Sequence, residues 1–361
     1  MTLNDSFRNR SAASCRYEDI MNLTDIGNAT EQLYTPIEDL FFTVVLPVIF
    51  ITGLCGNAAF IYTVFNVKSM KTVTNTYLIH VAFADVMFVT LSSVPYAYLY
   101  HRSPIRYDIS FRLSVGCVLL YFFPMTNYFA SLLLITCVTI ERYYAICQPL
   151  QHLMITGKSR TTKIIVASWV LGGVFGAAVV PRYSRLIGFC VEWPSDDDLF
   201  TSLPNQIHWC VEASPTLSLF ADITQTAPLF LAMFVNLYMY VCIIVSLSRR
   251  PTMATSRDKT NVQTSQRVRN QVARLLIING SMFFICQTPY RFTVIHNMMV
   301  YLTGSGFLNA AQYGALFVSG RCLILFNSCV NPIVYVTTSS IYRQAFHEAF
   351  MCRKQDKTVS G

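Results

Sequence analysis

The sequence contains few charged residues for its length. Only 13% of its 361 residues are Asp, Glu, Lys or Arg, whereas 53% are hydrophobic. Soluble domains usually carry about 25% charged residues. So little charge cannot cover a surface that faces water. The composition therefore excludes an ordinary soluble domain and favours a protein embedded in lipid.

Motifs for two common kinds of hydrolase are also absent. The chain contains neither Gly-x-Ser-x-Gly nor His-Glu-x-x-His, the sequences that position a nucleophilic serine or a catalytic zinc ion. It also lacks the internal repeats from which many transporters are built. We therefore expect that the protein is not an enzyme and that it holds no resident cofactor other than an allosteric sodium ion. A membrane transporter is the remote alternative.

The apolar residues are concentrated in long blocks. A helix needs about 20 apolar residues to cross ~30 Å of hydrocarbon, and helices satisfy their own backbone groups in lipid. Seven blocks qualify: 40–65, 75–100, 114–147, 162–181, 216–247, 270–300 and 308–336. The sequence predicts an all-α, seven-transmembrane bundle over 40–338, between an N-terminal tail (1–39) and a short C-terminal segment (339–361).

Basic residues indicate how the bundle is oriented. If the N-terminus is extracellular, 17 of the 27 Lys and Arg residues fall on cytoplasmic segments and 8 on extracellular ones. Cytoplasmic loops of membrane proteins are enriched in Lys and Arg. The net charge of +8 is therefore explained without nucleic acid. We predict a multi-pass plasma membrane protein with a cytoplasmic C-terminus.

The N-terminal tail is polar and contains four glycosylation sequons, which begin at Asn4, Asn9, Asn22 and Asn28. Asn-x-Ser/Thr is the acceptor for glycans on lumenal and extracellular segments. Four sequons within 30 residues favour a glycosylated extracellular tail. Chance sequons in a tail rich in Ser, Thr and Asn are the alternative.

Four of the twelve cysteines fall on the predicted extracellular side. These are Cys15, Cys117, Cys190 and Cys210. An even number in an oxidising compartment suggests two disulfides. The other eight lie in spans or on the cytoplasmic side, where packing residues or free thiols are expected.

Polar residues inside membrane spans are costly, and they often mark functional sites. Here they occur as short motifs: Gly56-Asn57, Asp85, Ser131, Glu141-Arg142-Tyr143, Trp169, Phe283, Cys286-Gln287-Thr288-Pro289, Asn327-Ser328 and Asn331-Pro332-Ile333-Val334-Tyr335. Each motif alone is weak. In their order, spans and depth they resemble the rhodopsin class of G-protein-coupled receptors over roughly 40–352.

The resemblance implies a polar core that binds sodium. Its expected members are Asn57, Asp85, Ser131, Asn327 and Asn331, with Asp85 as the carboxylate ligand. Oxygen atoms of this kind suit a small, hard cation. A hydrogen-bond network that holds no ion is the alternative.

The resemblance also implies an activation switch. Arg142 matches the arginine that is held by its acidic neighbour, here Glu141, until activation frees it for the G protein. A proline in mid-span weakens the helix and makes a hinge, so Pro289 is expected to be the pivot of span six. The remaining switch residues would be Tyr143, Phe283, Asn331, Pro332 and Tyr335.

Residues after span seven resemble the amphipathic eighth helix of this class. The segment Tyr342-Arg343-Gln344-Ala345-Phe346 would lie along the membrane, with its basic face toward anionic lipid. Cys352 is then a candidate for palmitoylation, and a free cysteine is the alternative.

The resemblance excludes two ligand classes. Amine receptors of this class carry an aspartate 18 residues before the motif arginine, where this chain has Pro124. Opsins carry a lysine in span seven, and residues 308–336 contain none.

The expected pocket instead has a fixed positive charge. Arg321 lies 11 residues before Pro332, about 16 Å along the helix, and Gln287 and Arg291 share one helical face. Arginine binds carboxylate and carbonyl oxygens through a planar fork of donors. We expect a pocket formed by Pro124, Met125, Gln287, Arg291 and Arg321. Pairing of Arg321 with an internal acid such as Asp222 is the alternative.

The long loop at 182–213 contains two segments, 188–193 and 207–212, that we predict to be short strands. Their turn holds Asp196-Asp197-Asp198, which would attract a basic ligand or is simply a solvated acidic turn. The resemblance implies that Cys117 pairs with this loop. Cys210 fits the expected distance to span five better, and Cys190 would then pair with Cys15. The opposite pairing is the alternative.

Three features depart from the resemblance, and one is that the first extracellular loop lacks the usual tryptophan before Cys117. Gln287 occupies the position where span six usually has tryptophan. In span five, Asn236 follows Pro228 by eight residues, where a tyrosine is expected, whereas Tyr240 would fit if the proline is displaced by one turn. The register of span five therefore stays open.

Together these features predict a receptor that couples an extracellular peptide to a heterotrimeric G protein. The same fold sensing a lipid or another small acidic molecule is the alternative, because the two arginines would serve a carboxylate equally well. Receptors for thyrotropin-releasing hormone and neuromedin U form the subgroup that the chain resembles.

Overall fold

A computed structural model describes residues 20–106, 108–109, 113–155, 157–195, 197–248 and 259–351. Within these ranges, seven helices are long and apolar enough to cross a membrane. Spans one to seven comprise Leu46–Asn66, Val73–Arg102, Ser114–Cys147, Lys158–Val179, Pro215–Ser248, Lys259–Thr303 and Ala310–Thr338. The predicted seven-helix bundle is confirmed.

Span six differs most from its predicted length. The apolar block covers 270–300, but the helix runs from Lys259 to Thr303. A helix of 45 residues extends roughly 68 Å at the usual rise per residue, more than twice the thickness of a bilayer core. Hydropathy reports only the part of the helix that lies in lipid, so it misses the polar turns at the start.

A short helical entry segment precedes span one. Thr35 caps a short helix, Pro36–Leu40, through a capping box in which Glu38 binds back to the Thr35 backbone. A π-helical turn, Phe41–Val45, connects this helix to span one. Glu38 also forms an ion pair with Arg106, 2.5 Å away, and so fixes the loop between spans two and three.

Spans three and four pack closely through glycine. A side chain at Gly172 would meet the backbone of Ala130, and one at Gly176 would meet Thr126. Small residues allow helices in a membrane to approach until their backbones are in contact. This contact sets the position of span three, which carries much of the candidate site.

A three-stranded sheet lies at one end of the bundle, which we call the hairpin end. Strand β2 (Arg185–Glu192) pairs antiparallel with β3 (Gln206–Val211), with Leu186 opposite Cys210. The structure therefore contains the hairpin predicted in this loop. Strand β1 (Ile20–Asn22) was not predicted, and it pairs in parallel with β2.

A small apolar cluster holds the N-terminal segment against the hairpin. We call it the tail–hairpin cluster, and its buried members are Leu23, Ala29, Ile105, Val191, Phe200, Leu203 and Ile207. It is separate from the main core, which lies inside the bundle. Residues 20–33 therefore form part of the folded hairpin end, although the sequence predicts only a polar tail.

At the opposite end, span seven is followed by an eighth helix, Ser340–Phe350. Its buried residues, Tyr342 and Ala345, belong to the main core. The ring of Phe350 lies 5.3 Å from that of Tyr62 in span one. The helix therefore packs along the end of the bundle, as the sequence pattern predicts.

Candidate functional site

A buried polar pair lies at the centre of the bundle. Asn331 of span seven donates a hydrogen bond of 2.5 Å to a carboxylate oxygen of Asp85 in span two. Asn57 of span one donates to the backbone carbonyls of Gly53 and Ser328. The structure thus brings the predicted polar-core residues of spans one, two and seven together.

A cavity of about 10 Å³ adjoins this pair. Its lining residues are Asp85, Phe88, Asn127, Tyr128, Ser131, Phe283, Gln287, Asn327 and Ser328. Two buried amide oxygens, Asn327 Oδ1 and Gln287 Oε1, have no hydrogen-bond partner among the described residues. Carboxylate, hydroxyl and amide oxygens are the ligands that hard cations prefer. One carboxylate among them suits a monovalent ion, so these residues fit sodium.

Arg291 is the largest fully buried side chain in the described structure and is only 1% exposed. Its Nη1 donates to Gln225 Oε1 at 2.8 Å, and its guanidinium carbon lies 4.7 Å from the centre of the Tyr128 ring. Its Nε has no partner among the described residues. A cation over an aromatic face is stabilised by the ring quadrupole, but one donor remains available.

From Gln225 a polar chain continues toward the hairpin end. Gln225 donates to Asp222 at 2.9 Å, and Asp222 lies 3.4 Å from Arg182. Arg182 also pairs with Glu212 at 3.0 Å and donates to the Ser218 hydroxyl. The acid Asp222, which was an alternative partner for Arg321, therefore pairs with Arg182.

Arg321 lies among aromatic rings nearer the hairpin end. Its guanidinium carbon is 4.5 Å from the centre of the Tyr96 ring and 5.6 Å from that of Phe317. Nearby, Tyr121 stacks on Tyr183 with ring centres 3.9 Å apart. We call these four side chains the aromatic wall: Tyr96, Tyr121, Tyr183 and Phe317. They come from spans two, three and seven and from the turn after span four, and the Arg321 guanidinium lies against Tyr96 and Phe317.

The other two predicted pocket residues lie in span three. Pro124 is buried inside the helix, four residues before Tyr128. Met125 is partly buried and packs against the main core. The Pro124 side chain is apolar, so it offers no anionic partner to an amine.

At the opposite end, Arg142 donates to the hydroxyl of Thr74 in span two. Glu141 lies 2.7 Å from the Nε2 atom of His152. Within the part of the chain that the structure describes, no salt bridge joins Glu141 to Arg142. The lock predicted between these neighbours is therefore replaced by two separate contacts, because adjacent side chains on a helix diverge and each finds a partner elsewhere.

Tyr143 is the third residue of the Glu141-Arg142-Tyr143 motif, and its contacts are with residues at the same end of the bundle. Its hydroxyl accepts from Gln148 at 3.3 Å, and its ring packs with Ile146, Ile243 and Ala273. It therefore contributes to packing between spans three, five and six at this end.

Tyr335 is fully buried, with its ring 4.8 Å from Phe60 and 5.6 Å from Tyr342. Its hydroxyl has no hydrogen-bond partner among the described residues. Tyr342 of the eighth helix donates to Asn75 Oδ1 at 2.5 Å. Burial raises the pKa of Tyr342, so its phenol stays protonated and keeps donating. This aromatic group joins spans one, two and seven to the eighth helix.

The structure resolves the register of span five. Both Asn236 and Tyr240 are buried, but they have different partners. Asn236 donates to the hydroxyl of Thr136 at 3.0 Å, whereas the Tyr240 hydroxyl lies 3.4 Å from that of Thr139 and against Gly280. Tyr240 thus lies between spans three and six, one turn beyond the position that Pro228 predicts.

Span six carries the predicted hinge next to the cavity. Pro289 lies inside the helix, and Phe283 is buried with its ring parallel to that of Tyr128, 6.4 Å away. Proline removes one backbone hydrogen bond and clashes with the preceding turn. Below it, Thr288 bonds back to the Phe284 carbonyl, a contact that often accompanies a bend.

The family model for 7 transmembrane receptors (rhodopsin family) matches residues 56–335. This range is more than half of the chain. The chain belongs to the rhodopsin family of seven-transmembrane receptors. It is therefore a multi-pass membrane receptor and not an enzyme, as the sequence predicts.

Curated relatives of this receptor cover most of its length. It is 28% identical to the thyrotropin-releasing hormone receptor of Homo sapiens over 326 residues, which are 84% of this chain and 76% of that protein. It is 25% identical to the substance-P receptor of Mus musculus, with 84% and 69% of the two chains covered. It is 26% identical to neuromedin-U receptor 2 of Mus musculus, with 84% and 73% covered.

The predicted disulfide between Cys117 and Cys210 is confirmed, with Cα atoms 5.7 Å apart. It ties the start of span three to strand β3 of the receptor. Cys190 is itself disulfide-bonded, while Cys15, its predicted partner, lies outside the described residues. The alternative pairing of Cys117 with Cys190 is therefore wrong.

Several predicted modification sites are only partly described. Asn22 and Asn28 are exposed, which keeps both sequons accessible, and Asn22 Oδ1 accepts from the Thr24 hydroxyl at 2.7 Å. Asn4, Asn9 and Cys352 lie outside the described residues. Glycosylation and palmitoylation of this receptor thus stay predictions.

Sequence reasoning missed Arg182 and Gln225, which connect the hairpin to Arg291. Arg182 looks like an ordinary loop cation beside Pro181, and Gln225 is an uncharged residue inside an apolar span. One signal was available. Asp222 and Gln225 are three residues apart and so share a helical face, which marks an inward polar stripe in span five.

Proposed function

We propose that this receptor binds an extracellular peptide and activates a heterotrimeric G protein at the plasma membrane. The observation that carries the proposal is Arg291. It is buried in mid-bundle, it has an unpartnered donor, and a polar chain connects it to the hairpin. The names of the relatives support a peptide, since they are receptors for thyrotropin-releasing hormone, substance P and neuromedin U.

The hairpin end is the extracellular end in this proposal. Disulfides persist in oxidising compartments, and Cys117–Cys210 lies at that end. Among the described residues, most Lys and Arg side chains lie at the opposite end, in keeping with the positive-inside tendency. The N-terminus is then extracellular and the C-terminus cytoplasmic.

The ligand presents a carboxylate or an amide carbonyl to Arg291. An arginine presents its Nε–H and Nη2–H as parallel donors to such groups, and the Nε–H of Arg291 has no partner among the described residues. Arg321, on its aromatic wall, offers a second cation nearer the mouth. A peptide long enough to reach both arginines would also contact the hairpin above them.

The G protein binds at the opposite end, where Arg142 lies. Arg269 and Arg274 are exposed at the start of span six. The short helix Pro149–Ile155 exposes Leu150, Leu153 and Met154, each at least 77% accessible. Exposed apolar and basic groups around Arg142 suit a partner that inserts between the helices when Pro289 lets span six swing outward.

A sodium ion in the cavity would stabilise the resting state. Asp85, Ser131 and Asn327 supply oxygens of suitable type, and Asn331 orients the carboxylate through its hydrogen bond. The ion would neutralise Asp85, the one carboxylate among the described residues that line the cavity. The eighth helix lies along the cytoplasmic membrane surface in this proposal, where Arg343 meets anionic lipid and Cys352 accepts a palmitoyl chain.

A lipid or small acidic ligand is the second candidate, because Arg291 would bind any carboxylate. The deciding experiment expresses the receptor in cells and records calcium and cAMP responses to a library of neuropeptides, amidated and free, and to a panel of fatty acids and small acids. A peptide response that Arg142→Ala abolishes, with ligand binding retained, is expected. Silence to all peptides together with a response to an acid would contradict the peptide proposal.

A further inference from the structure

Gln287 is an unusual residue at the inner face of span six. The side chain is buried, 3% exposed, and its Oε1 has no partner among the described residues. Buried carbonyl oxygens in proteins are almost always bonded to protein, water or an ion. The position of this oxygen therefore implies a partner that comes from the adjoining space.

The adjoining space is the polar cavity. Gln287 lines it together with Asp85, Ser131 and Asn327, which come from spans two, three and seven. A second buried oxygen without a partner among the described residues, Asn327 Oδ1, belongs to the same lining. Together with the Asp85 carboxylate and the Ser131 hydroxyl, these two amide oxygens form an oxygen set to which spans two, three, six and seven all contribute.

We propose that Gln287 is a ligand of the sodium site and supplies its side-chain oxygen to the bound cation. This inference rests on the proposed sodium site. The cation is thereby held directly by span six as well as by Asp85. Because Pro289 lies two residues further along the same helix, outward movement of span six pulls one ligand away from the ion.

The same helix connects this oxygen to the candidate ligand pocket. Arg291 follows Gln287 by one turn, and its guanidinium lies over the ring of Tyr128. Tyr128 itself lines the cavity. A ligand that draws Arg291 from Gln225 would therefore act on the segment that holds the cation, and sodium and ligand would oppose one another.

Thermal unfolding of the purified full-length receptor tests this assignment. The melting temperature is measured against sodium chloride at constant ionic strength, with choline chloride as the replacement salt. A ligand that binds only the folded state raises the melting temperature, and the rise grows with the logarithm of the ligand concentration once that concentration exceeds Kd. Gln287→Met, which keeps the length of the side chain but removes the oxygen, should need at least about 10-fold more sodium for the same rise, because loss of a residue that only supports a metal ligand already costs about 10- to 100-fold in affinity.

Three further variants complete the test. Gln287→Glu restores an oxygen and should restore sodium stabilisation, while Asp85→Asn should abolish it. Gln287→Leu is the second apolar variant if Gln287→Met does not fold. If the melting temperature of the wild-type receptor does not depend on sodium, the sodium site and this inference are both wrong. If the melting temperature depends on sodium equally in wild type and Gln287→Met, but does not depend on sodium in Asp85→Asn, only the role of Gln287 is wrong.

Discussion

Arg142 of span three donates a hydrogen bond to the hydroxyl of Thr74 in span two. Its acidic neighbour Glu141 is engaged elsewhere, 2.7 Å from His152. The guanidinium is therefore restrained in this structure by a neutral acceptor on another helix. A hydrogen bond to a charged donor contributes about 1.5–3 kcal/mol, enough to shift a conformational equilibrium by roughly one order of magnitude or more.

Thr74→Val should raise basal signalling. Valine keeps the shape of threonine but removes the acceptor, so Arg142 is freed without a new steric clash. We expect higher ligand-independent second-messenger production at equal surface expression. Thr76→Val is the matched control, because the exposed Thr76 hydroxyl bonds only within its own helix. Basal signalling unchanged in both variants would show that Thr74 does not restrain the switch.

Arg291→Lys should weaken the ligand while the receptor still reaches the cell surface. Lysine keeps the charge but loses the planar fork of donors. The loss of one charge-assisted hydrogen bond, about 1.5–3 kcal/mol, corresponds to a loss of affinity of roughly 10- to 100-fold. Competition binding with the ligand found in the library screen measures this. Arg185→Lys, at an exposed position on β2, is the control, and an equal loss there would argue against a specific role for Arg291.

Leu23→Ala should loosen the N-terminal segment from the hairpin. Leu23 is buried in the tail–hairpin cluster, and truncation of a buried leucine costs about 2–5 kcal/mol. Because this cluster is separate from the bundle core, we expect faster amide exchange in residues 20–33 and unchanged exchange in the spans. Ile26→Ala is the control, since Ile26 is 51% exposed. Faster exchange throughout the spans would contradict a locally folded segment.

The bundle was predictable because its signals are local and repeated. Twenty apolar residues leave few structural options in lipid, and span three begins and ends at the residues that hydropathy predicts. The partners of Arg142 and Asp222 were not predictable in this way. Each depends on which helices meet, and Thr74 and Arg182 carry no mark in the sequence that assigns them to these partners.

The tail–hairpin cluster shows a second limit of sequence reasoning. Leu23 and Ala29 are isolated apolar residues in a polar segment, and they lack the periodicity that indicates a buried face. Of their partners, Ile105 lies in the loop between spans two and three and Ile207 lies in strand β3. A cluster assembled from such distant segments has no local pattern, so residues 20–33 look like an unstructured tail.

Gly176→Ala should destabilise the receptor through the contact between spans three and four. A Cβ at this position would lie 2.6 Å from Thr126 Oγ1 and 3.0 Å from the Thr126 backbone nitrogen. The helices must then separate, and overpacking of this kind costs about 1–3 kcal/mol. Gly173→Ala is the matched control, because a Cβ there meets nothing within 4 Å and alanine favours the helix. We expect thermal unfolding in detergent to occur a few degrees lower for Gly176→Ala and no lower for Gly173→Ala. Equal melting temperatures for Gly176→Ala and wild type would mean that Thr126 can move aside, and that the glycines do not set the helix spacing.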